Sequence, residues 1–447
     1  MLRLDTMSLE RKNGFTSLTV PVRLPSQAEH FSQSKSQLAA PAVLLVPDEG
    51  VYLSLRLPRI FQEAGVAVDL LCLRGHPLAR SRYVRQVQLA KSWRGIEAGV
   101  SDYLRQPRQL WQKIIVCHEP SVRRLLASLD PVEMKKWQPG ATTQLAHEFF
   151  RGKFGLPAAA AQWDLPIPAS QLCQSTDEVM AFGAQVGWPV MVKPSDQLGG
   201  NGIRKFDRAV DVEVAASKLR FPLLAQKFIF GRRVVIDMVC SGGRLLAWLS
   251  SYSIAQGKGP FSYSTGRLHR AMPGLAPLAE KIAAHSRFEG FCGIDCIEEA
   301  GSGRIYLLEF NPRPTSAWRF AGHCGVDLSG VIKSWVDERD TAAAPLTLPS
   351  GREIQTHYFA SDLIRCVRQK DWWGLRHWLP GTHSYHDVPW DDPGVLFAAA
   401  GALAKGILPK RARIKRFSVE PRPIFGGRGP ATPAAGIIFG KDDGAPI

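Results

Sequence analysis

The most informative part of this sequence is Leu307-Leu-Glu-Phe-Asn-Pro-Arg313, which comes shortly after Gly293-Ile-Asp295. Apolar residues alternate with polar ones in both places, a pattern typical of half-buried strands. We predict two paired strands, Gly293–Glu298 and Arg304–Phe310, joined by a turn at Ala300–Gly303. The two strands should form a hairpin, and its polar residues should lie together on one face.

That face holds a candidate metal site. Glu309 and Asn311 are two apart on one strand and therefore share a face, while Asp295 lies 309 − 295 = 14 residues earlier, on the neighbouring strand. Two carboxylates and an amide oxygen are hard ligands that suit Mg²⁺. The alternative is a solvated charged surface. Flanking residues such as Ile294 and Phe310 are typical of a core, where carboxylates without a cation would be costly.

A glycine-rich loop lies upstream. Pro189–Pro194 reads as a strand that contains Lys193, and the loop Ser195–Gly202 after it holds glycines at 199, 200 and 202. Glycine lets backbone amides approach a phosphate chain closely, and a lysine beside it supplies charge. An ordinary hairpin turn is the alternative reading. Further on, Ala225–Ile229, followed by Gly231, is an extended segment that could read an adenine edge or be an ordinary edge strand.

The N-terminal part alternates strands and helices. Apolar runs predict strands at Pro41–Pro47, Val66–Leu73 and Lys113–Cys117, with helices at Val51–Ala64 and Ile96–Arg105 between them. This order favours an open α/β sheet. The glycine fingerprint of a dinucleotide site is missing there, so no nucleotide is assigned to it.

The middle of the chain gives further local predictions. Asp130–Gly140 is polar and contains proline, and we predict a connection there. Thr176–Gly187 reads as an amphipathic helix capped at Ser175 or Thr176, and Pro277–Ser286 reads as another helix.

Composition restricts the class of protein. The chain of 447 residues has 45% hydrophobic and 21% charged residues, which excludes global disorder and predicts two to four domains. Its net charge of +16, from 56 basic and 40 acidic residues, fits nucleic acid, an acidic membrane surface or small anionic substrates. Eight cysteines without a CxxC pair indicate buried thiols in a reducing compartment. We expect a cytoplasmic protein without a membrane span.

Taken in order, these motifs resemble the ATP-grasp superfamily, and most of all its carbamoyl-phosphate-synthase-like and carboxylate–amine ligase branch. The resemblance runs from about Ala40 to Trp335, roughly two-thirds of the chain, and includes the N-terminal sheet, where Ser81-Arg82-Tyr83 follows the second strand. It implies ATP and Mg²⁺ (or Mn²⁺) as cofactors. It also implies a small-molecule carboxylate, activated as an acyl phosphate, and an amine or other nucleophile that displaces the phosphate.

The resemblance assigns roles to single residues. Lys153 and Lys193 would reach the phosphates, and Arg313 would stabilise charge on the transferred phosphoryl group. The remaining nucleotide contacts it implies are Gly199, Gly200, Gly202, Gln226, Lys227, Phe228, Ile229 and Ile294, and the metal ligands are Asp295, Glu309 and Asn311.

Two further segments each carry two arginines. The resemblance makes the segment Lys227–Ile229 the hinge that reads adenine. Many relatives carry an acidic residue after the glycine that follows the hinge, to hold the ribose, but Gly231 here is followed by Arg232 and Arg233. Between hinge and metal strands, the segment 262–270 carries Arg267, His269 and Arg270, which could face the acceptor substrate or form a solvated basic loop. A lone loop histidine is more often neither base nor ligand.

The predicted organisation is α/β, with α+β grasp domains. It comprises a disordered leader (1–37), an N-terminal parallel-sheet domain (38–140), an ATP-grasp domain (141–340; lid lobe about 165–230, metal lobe about 231–340) and a C-terminal subdomain with a basic tail (341–447). The Trp-rich stretch Trp372–Trp378 is predicted to pack this subdomain onto the grasp fold.

Two other functions are left open by the sequence. The first is ATP binding without ligation. The second is a nucleic-acid or anionic-surface module, favoured by the tail and by a stacking role for the tryptophans; nucleic acid is the weaker of the expected partners, and a homodimer is an open option. The basic tail residues are Lys405, Lys410, Arg411, Arg413, Lys415 and Arg416.

Overall fold

A computed structural model describes residues 41–49, 53–107, 110–141, 143–195, 199–339 and 344–407, with side chains up to 401. The predicted leader (1–37), part of the glycine-rich loop (196–198) and the basic tail lie outside the described residues or side chains. Within those ranges, no helix has both the length and the apolar character needed to cross a membrane.

The N-terminal domain is a four-stranded parallel sheet in the order β3-β2-β1-β4. All five residues of β1 are buried, as expected for a continuous apolar strand covered on both faces. The elements are β1 (Ala42–Val46), α1 (Leu57–Glu63), β2 (Ala67–Leu73), β3 (Gln86–Ala90), α2 (Trp93–Arg105), β4 (Lys113–Val116) and α3 (Glu119–Ser128). The predicted open α/β sheet is confirmed, although β3 and α3 were missed.

The segment predicted as a connection is a helix. α4 (Pro131–Trp137) begins at Asp130, whose side chain accepts hydrogen bonds from the amides of Val132 and Glu133. Glu133 in turn accepts from the Asp130 amide, which completes a capping box. The prediction was wrong because proline was read as a breaker, whereas it is favoured in the first helical turn.

A smaller lobe follows, with its own antiparallel sheet in the order β5-β8-β6-β7 and its own apolar core. The helices α5 (Gln144–Arg151) and α6 (Leu156–Trp163) come before this lobe and pack in the core that also contains α2 and α3. The elements of the lobe are β5 (Ser170–Cys173), α7 (Thr176–Val186), β6 (Val190–Lys193), β7 (Arg204–Phe206), α8 (Ala209–Ala215) and β8 (Leu223–Lys227). Of the two predicted caps of α7, Ser175 is the one observed, because its side chain accepts from the Glu178 amide.

The largest sheet has seven strands in the order β13-β12-β9-β10-β11-β14-β15. Its apolar face shares a core with the helices and β1 of the N-terminal domain. The elements are β9 (Gly231–Ser241), β10 (Arg244–Gln256), β11 (Ser264–Arg270), α9 (Ala276–Ser286), β12 (Gly290–Glu299), β13 (Ile305–Asn311) and α10 (Leu328–Val336). The basic-loop alternative for 262–270 is wrong for most of that segment, because β11 pairs with a strand on each side.

The C-terminal segment continues this sheet rather than forming a separate layer. β14 (Glu353–His357) pairs with β11, and β15 (Ser384–His386) pairs with β14; α11 (Ser361–Gln369), α12 (Trp372–Arg376) and α13 (Pro393–Ile407) complete it. Of the three tryptophans in the stretch Trp372–Trp378, only one packs against the rest of the fold as predicted. Trp378 donates to the Asp362 carboxylate, whereas Trp372 and Trp373 are 66% and 75% exposed.

The strands β9 and β12 approach each other closely at Gly231. A Cβ at Gly231 would overlap the Glu298 carbonyl oxygen, whereas a Cβ at Gly274 meets nothing within 4 Å. We expect Gly231→Ala to destabilise the protein by about 1–3 kcal/mol, since packed backbone would have to shift. Thermal unfolding should show a lower midpoint for Gly231→Ala and little change for Gly274→Ala. A wild-type midpoint for Gly231→Ala would contradict this packing.

Candidate active site

One cavity of about 1,150 Å³ lies between the lid lobe and the largest sheet, and the N-terminal domain closes one end. It is larger than most small-molecule pockets, which span roughly 300–1,000 Å³. Most residues predicted from the sequence line it: Lys153, Lys193, Gly199, Gly200, Gln226, Lys227, Phe228, Ile229, Arg267, Asp295, Glu309, Asn311 and Arg313.

The hairpin of β12 and β13 positions the candidate metal ligands. Asp295 lies directly opposite Glu309, and Gly293 lies opposite Asn311. The Asn311 amide donates to Asp295 Oδ2 at 3.1 Å. The three side chains therefore form one group on the face that the spacing predicted, and their role as metal ligands stays a prediction.

This donor set suits Mg²⁺. Among the described residues, no cluster of three or more His, Cys, Asp or Glu side chains is arranged to hold a metal. Asp295 and Glu309 supply two carboxylates, and the amide of Asn311 would have to supply the third oxygen. Such an incomplete protein shell fits an ion that keeps waters and bridges phosphates.

Three cations surround these carboxylates. Lys153 Nζ lies 2.6 Å from Glu309 Oε1, and Arg233 Nη2 lies 3.5 Å from Asp295 Oδ1. Arg313 donates to Asn311 Oδ1 at 3.0 Å and to Glu119 at 2.9 Å. The negative charge of the hairpin is thus neutralised inside the protein.

Lys193 is buried at the end of β6, with 4% of its surface exposed. Its ammonium donates to Gln226 Oε1 at 2.5 Å, and the Gln226 amide donates to Ser170 Oγ. Burial lowers the pKa of Lys193 to about 8 despite the attraction of Glu309. The side chain is therefore charged at neutral pH but close to losing its proton.

The predicted hinge forms one edge of the cavity. The amides of Lys227 and Phe228 already donate to the carbonyls of Ala169 and Pro189. A base bound here must therefore use the other backbone groups of this segment. The expectation for Ile294 is corrected: it lies in the core, because it alternates with Asp295 on β12 and faces the other way.

Apolar residues of the cavity lining come partly from the lid lobe and partly from β12 and β13. On β6, Met191 is more exposed than its neighbours. Local sequence patterns single out only Phe228 and Ile229 among them. These apolar lining residues include Met191, Ile203, Phe228, Ile229, Ile297 and Leu308.

The glycine-rich loop is pressed against the segment before β11. Gly200 has φ +80°, and a Cβ there would overlap the Phe261 carbonyl oxygen. Gly199 and Gly202 also have positive φ. Gly199 and Gly200 line the cavity, whereas Gly202 is not among the lining residues.

The two arginines after Gly231 have partners in the protein. Arg232 lies over the Tyr252 ring at 3.7 Å, and Arg233 Nη1 donates to the Ser262 carbonyl at 2.6 Å. Both line the cavity. The cavity surface after Gly231 is therefore cationic.

The three candidate substrate residues on β11 lie in different environments. Arg267 lines the cavity and forms a buried ion pair with Asp237 at 2.8 Å. His269 is fully buried against Thr356, outside the cavity, and burial lowers its pKa to about 3. Arg270 lies outside the cavity lining and pairs with Glu353. The structure thus corrects the expectation that His269 and Arg270 face substrate.

Several lining residues come from parts of the chain that local patterns did not connect with the site. The N-terminal domain contributes Asp48 and Glu119, which follow β1 and β4, where the order of strands reverses and open α/β sheets bind ligands. The C-terminal segment contributes Tyr358, Ser361 and Arg365.

Comparisons with known proteins agree with this architecture. A family model described as an ATP-grasp domain matches residues 160–317. Curated relatives include the carbamoyl phosphate synthase large chain of Lachnoclostridium phytofermentans, 26% identical over 164 residues, or 33% of this chain and 15% of that protein. The arginine-specific large chain of Bacillus subtilis is 24% identical over 159 residues, 32% and 15% of the two chains. The match thus spans about 15% of these relatives' length.

Solved structures show the same fold. An ADP complex of N5-carboxyaminoimidazole ribonucleotide synthetase has a TM-score of 0.55 at 15% identity, covering 74% of this chain and 85% of that one. The biotin carboxylase domain dimer of Hydrogenobacter thermophilus 2-oxoglutarate carboxylase, in complex with MgADP, ADP and bicarbonate, has a TM-score of 0.54 at 14% identity, covering 68% and 71%. The predicted ATP-grasp fold, preceded by a parallel-sheet domain, is confirmed.

Lys193 gives a pH-dependent prediction. Because burial lowers its pKa to about 8, the ammonium loses its charge as the pH rises from about 7 to about 9, and its attraction for phosphate falls. ADP affinity should fall over this range, and binding near pH 8 should take up protons because phosphate raises the pKa again. Calorimetry in buffers of different ionisation enthalpy measures both effects.

The variant Lys193→Met should bind ADP more weakly and lose this pH dependence. Lys218→Met, which changes an exposed lysine outside the cavity, should behave as wild type. An ADP affinity that is unchanged between about pH 7 and about pH 9 would show that Lys193 does not contact the phosphates.

Proposed function

We propose that this protein is an ATP-dependent ligase that activates a small-molecule carboxylate as an acyl phosphate and transfers the acyl group to an amine or another nucleophile. The observation that carries the proposal is the meeting of Asp295, Glu309 and Asn311 with Lys153, Lys193 and Arg313 in one cavity. Oxygen ligands for a divalent cation beside several buried cations are the groups that phosphoryl transfer requires.

The charge of the cavity supports an anionic ligand. Eight lining residues are cations and four are anions, so the net charge is 8 − 4 = +4. A positive cavity raises the local concentration of polyanions such as nucleoside triphosphates. The cationic lining residues are Lys153, Lys193, Lys227, Arg232, Arg233, Arg267, Arg313 and Arg365, and the anionic ones are Asp48, Glu119, Asp295 and Glu309.

The comparisons support the choice of ligand. Both solved structures described above contain ADP, and one contains magnesium and bicarbonate. In this chain, a purine would pack against apolar residues of the cavity lining such as Phe228 and Leu308. Its phosphates would then extend towards Lys153 and Lys193.

The proposed reaction has two steps. An oxygen of the substrate carboxylate attacks the γ-phosphorus of ATP, and ADP leaves, which produces an acyl phosphate. The amine nitrogen then attacks the acyl carbon, phosphate leaves, and the nitrogen loses a proton. A Mg²⁺ held by Asp295, Glu309 and Asn311 would supply charge neutralisation at the phosphate oxygens.

The protein's own contribution is position and charge. Lys153 and Lys193 would hold the phosphates, and both are buried, which strengthens their electrostatic effect. Burial opposes the charge of Arg313, but its ion pair with Glu119 raises its pKa. Arg313 therefore stays a fixed cation where charge develops on the transferred phosphoryl group.

The domain boundaries are part of the proposal. An N-terminal α/β domain over 38–140, an ATP-grasp domain over 141–340 and a C-terminal subdomain from 341 are consistent with the separate apolar core of the lid lobe and with the three sheets. The C-terminal subdomain shares the largest sheet, so we expect it to be required for folding of the ATP-grasp domain.

Phosphate release from MgATP, measured with a panel of small carboxylates and amines, tests the proposal. We expect release to be stimulated by one carboxylate and Glu309→Ala and Lys193→Ala to reduce it by about 100-fold or more. The matched controls are Glu280→Ala and Lys218→Ala, which remove exposed side chains of the same types.

Two results would reject ligation. If no carboxylate in the panel stimulates release while ADP still binds, the protein binds nucleotide without turnover. If Glu309→Ala and Lys193→Ala release phosphate as fast as the two controls, the turnover does not come from this cavity.

A further inference from the structure

Arg123, in α3, lies between two parts of the proposed phosphoryl-transfer site without lining the cavity itself. Its side chain is 13% exposed. One end of its guanidinium, Nη2, lies 2.6 Å from Glu119 Oε1, and the other end, Nη1, donates to the backbone carbonyl of Ser195. Arg123 therefore joins the N-terminal domain to the start of the glycine-rich loop.

Glu119 binds a second arginine with its other carboxylate oxygen. Arg313 Nε donates to Glu119 Oε2 at 2.9 Å, and Arg313 Nη2 donates to Asn311 Oδ1 at 3.0 Å. Glu119 is buried, and a carboxylate that binds two arginines through different oxygens has a fixed orientation. Arg123 therefore helps to set the direction in which Glu119 holds Arg313.

Ser195 lies two residues after Lys193, where β6 has ended and the glycine-rich loop begins. The chain is tightly packed here. A Cβ built on Gly152 would lie 2.9 Å from Ser195 Oγ, 3.2 Å from the Ser195 carbonyl oxygen and 3.4 Å from Arg123 Nη1. Gly152 directly precedes Lys153. The contact between Arg123 and Ser195 is thus close in the chain to both lysines proposed to hold phosphates.

An arginine suits a bridge of this kind and a lysine does not. The guanidinium presents several N–H groups in a rigid plane, so it can bind a carboxylate and a carbonyl at the same time in fixed directions. A lysine ammonium would neutralise Glu119, but its flexible stem and compact charge would not fix both acceptors. The two contacts of Arg123 thus hold Arg313 and the glycine-rich loop in a set position relative to each other.

We propose that Arg123 is a positioning residue for phosphoryl transfer. Through Glu119 it holds Arg313, and through the Ser195 carbonyl it holds the start of the glycine-rich loop, so that both lie at the γ-phosphate of ATP. This role deepens the proposed ligase function and rests on its assignment of Arg313 to the transferred phosphoryl group. Arg123 lies outside residues 160–317, which match the ATP-grasp family model, and acts only through its two partners.

Loss of Arg123 should affect the binding of a nucleoside triphosphate more than that of a diphosphate. ADP lacks the γ-phosphate that Arg313 would contact, whereas adenylyl imidodiphosphate, an ATP analogue with nitrogen between the β- and γ-phosphorus atoms, has it. A variant that is merely less stable would weaken both ligands by the same factor, because both bind only the folded protein. The ratio of the two affinities therefore distinguishes positioning from a general loss of folded protein.

Titration calorimetry of the full-length protein in excess Mg²⁺ measures both affinities. Arg123→Met should lower the ratio of analogue affinity to ADP affinity by roughly 3- to 30-fold, and Arg123→Lys should give an intermediate ratio. Glu119 keeps Arg313 as a partner in both variants, so its buried charge stays compensated. The matched control is Arg124→Met, which removes a 47% exposed arginine of the same helix and should leave the ratio unchanged.

Gly152→Ala disturbs the same contact from the other side, since its new Cβ would displace Ser195 from Arg123. We expect a lower ratio of affinities for this variant as well. If both changes act through the Ser195 contact, the double variant should be little worse than either single one, because two changes that remove one interaction are not additive. An effect of Gly152→Ala through Lys153 would instead add to that of Arg123→Met.

The outcomes separate this inference from the ligase proposal. Equal ratios for wild type and Arg123→Met, or additive effects of Arg123→Met and Gly152→Ala, would overturn the positioning role and leave ligation to the turnover assay. A lower ratio in a protein whose ATP turnover no carboxylate stimulates would keep the positioning of the γ-phosphate and reject ligation. Failure of the wild type to bind either nucleotide would reject both.

Discussion

Two carboxylates lie opposite each other on β12 and β13. They repel each other, and the charged side chains of the site offset this repulsion. Like charges directly opposite on a sheet are destabilising, and Asp295 and Glu309 occupy such positions. Lys153 offsets one of them at 2.6 Å and Arg233 lies near the other. Lys153 lies in a short 3-10 helix after α5, while Arg233 is the third residue of the long strand β9. Through these ion pairs, the hairpin holds parts of the chain that lie on both sides of the cavity.

The same network ties the N-terminal domain to the site. Glu119 is the first residue of α3, where a carboxylate also suits the positive end of the helix. It accepts hydrogen bonds from Arg123 and Arg313. Burial opposes its ionisation, yet the two arginines lower its pKa. Since breaking a buried ion pair leaves an uncompensated charge, this contact holds the parallel sheet against the large one.

Much of this could be predicted from the sequence because the decisive signals are local. Alternation of apolar and polar residues located β12 and β13, and the distance between Asp295 and Glu309 predicted their common face. The cap of α7 was predicted at Ser175 or Thr176 from residue type alone, and Ser175 is the cap observed. Local patterns fail where a residue depends on distant partners: nothing near Glu119 in sequence indicates Arg313, 194 residues away. His269 was misread because its burial comes from β14 and Thr356.

On the proposed assignments, the ion pairs of the cavity must be exchanged on binding. Lys153 is paired with Glu309, which is also a candidate ligand of the metal. A divalent cation at Glu309 weakens the hold of that carboxylate on Lys153, and a phosphate offers Lys153 a new anionic partner. Either ligand alone would leave one buried charge poorly compensated, which is costly. Metal and triphosphate therefore favour each other's binding, and the cavity accepts them together more readily than one at a time.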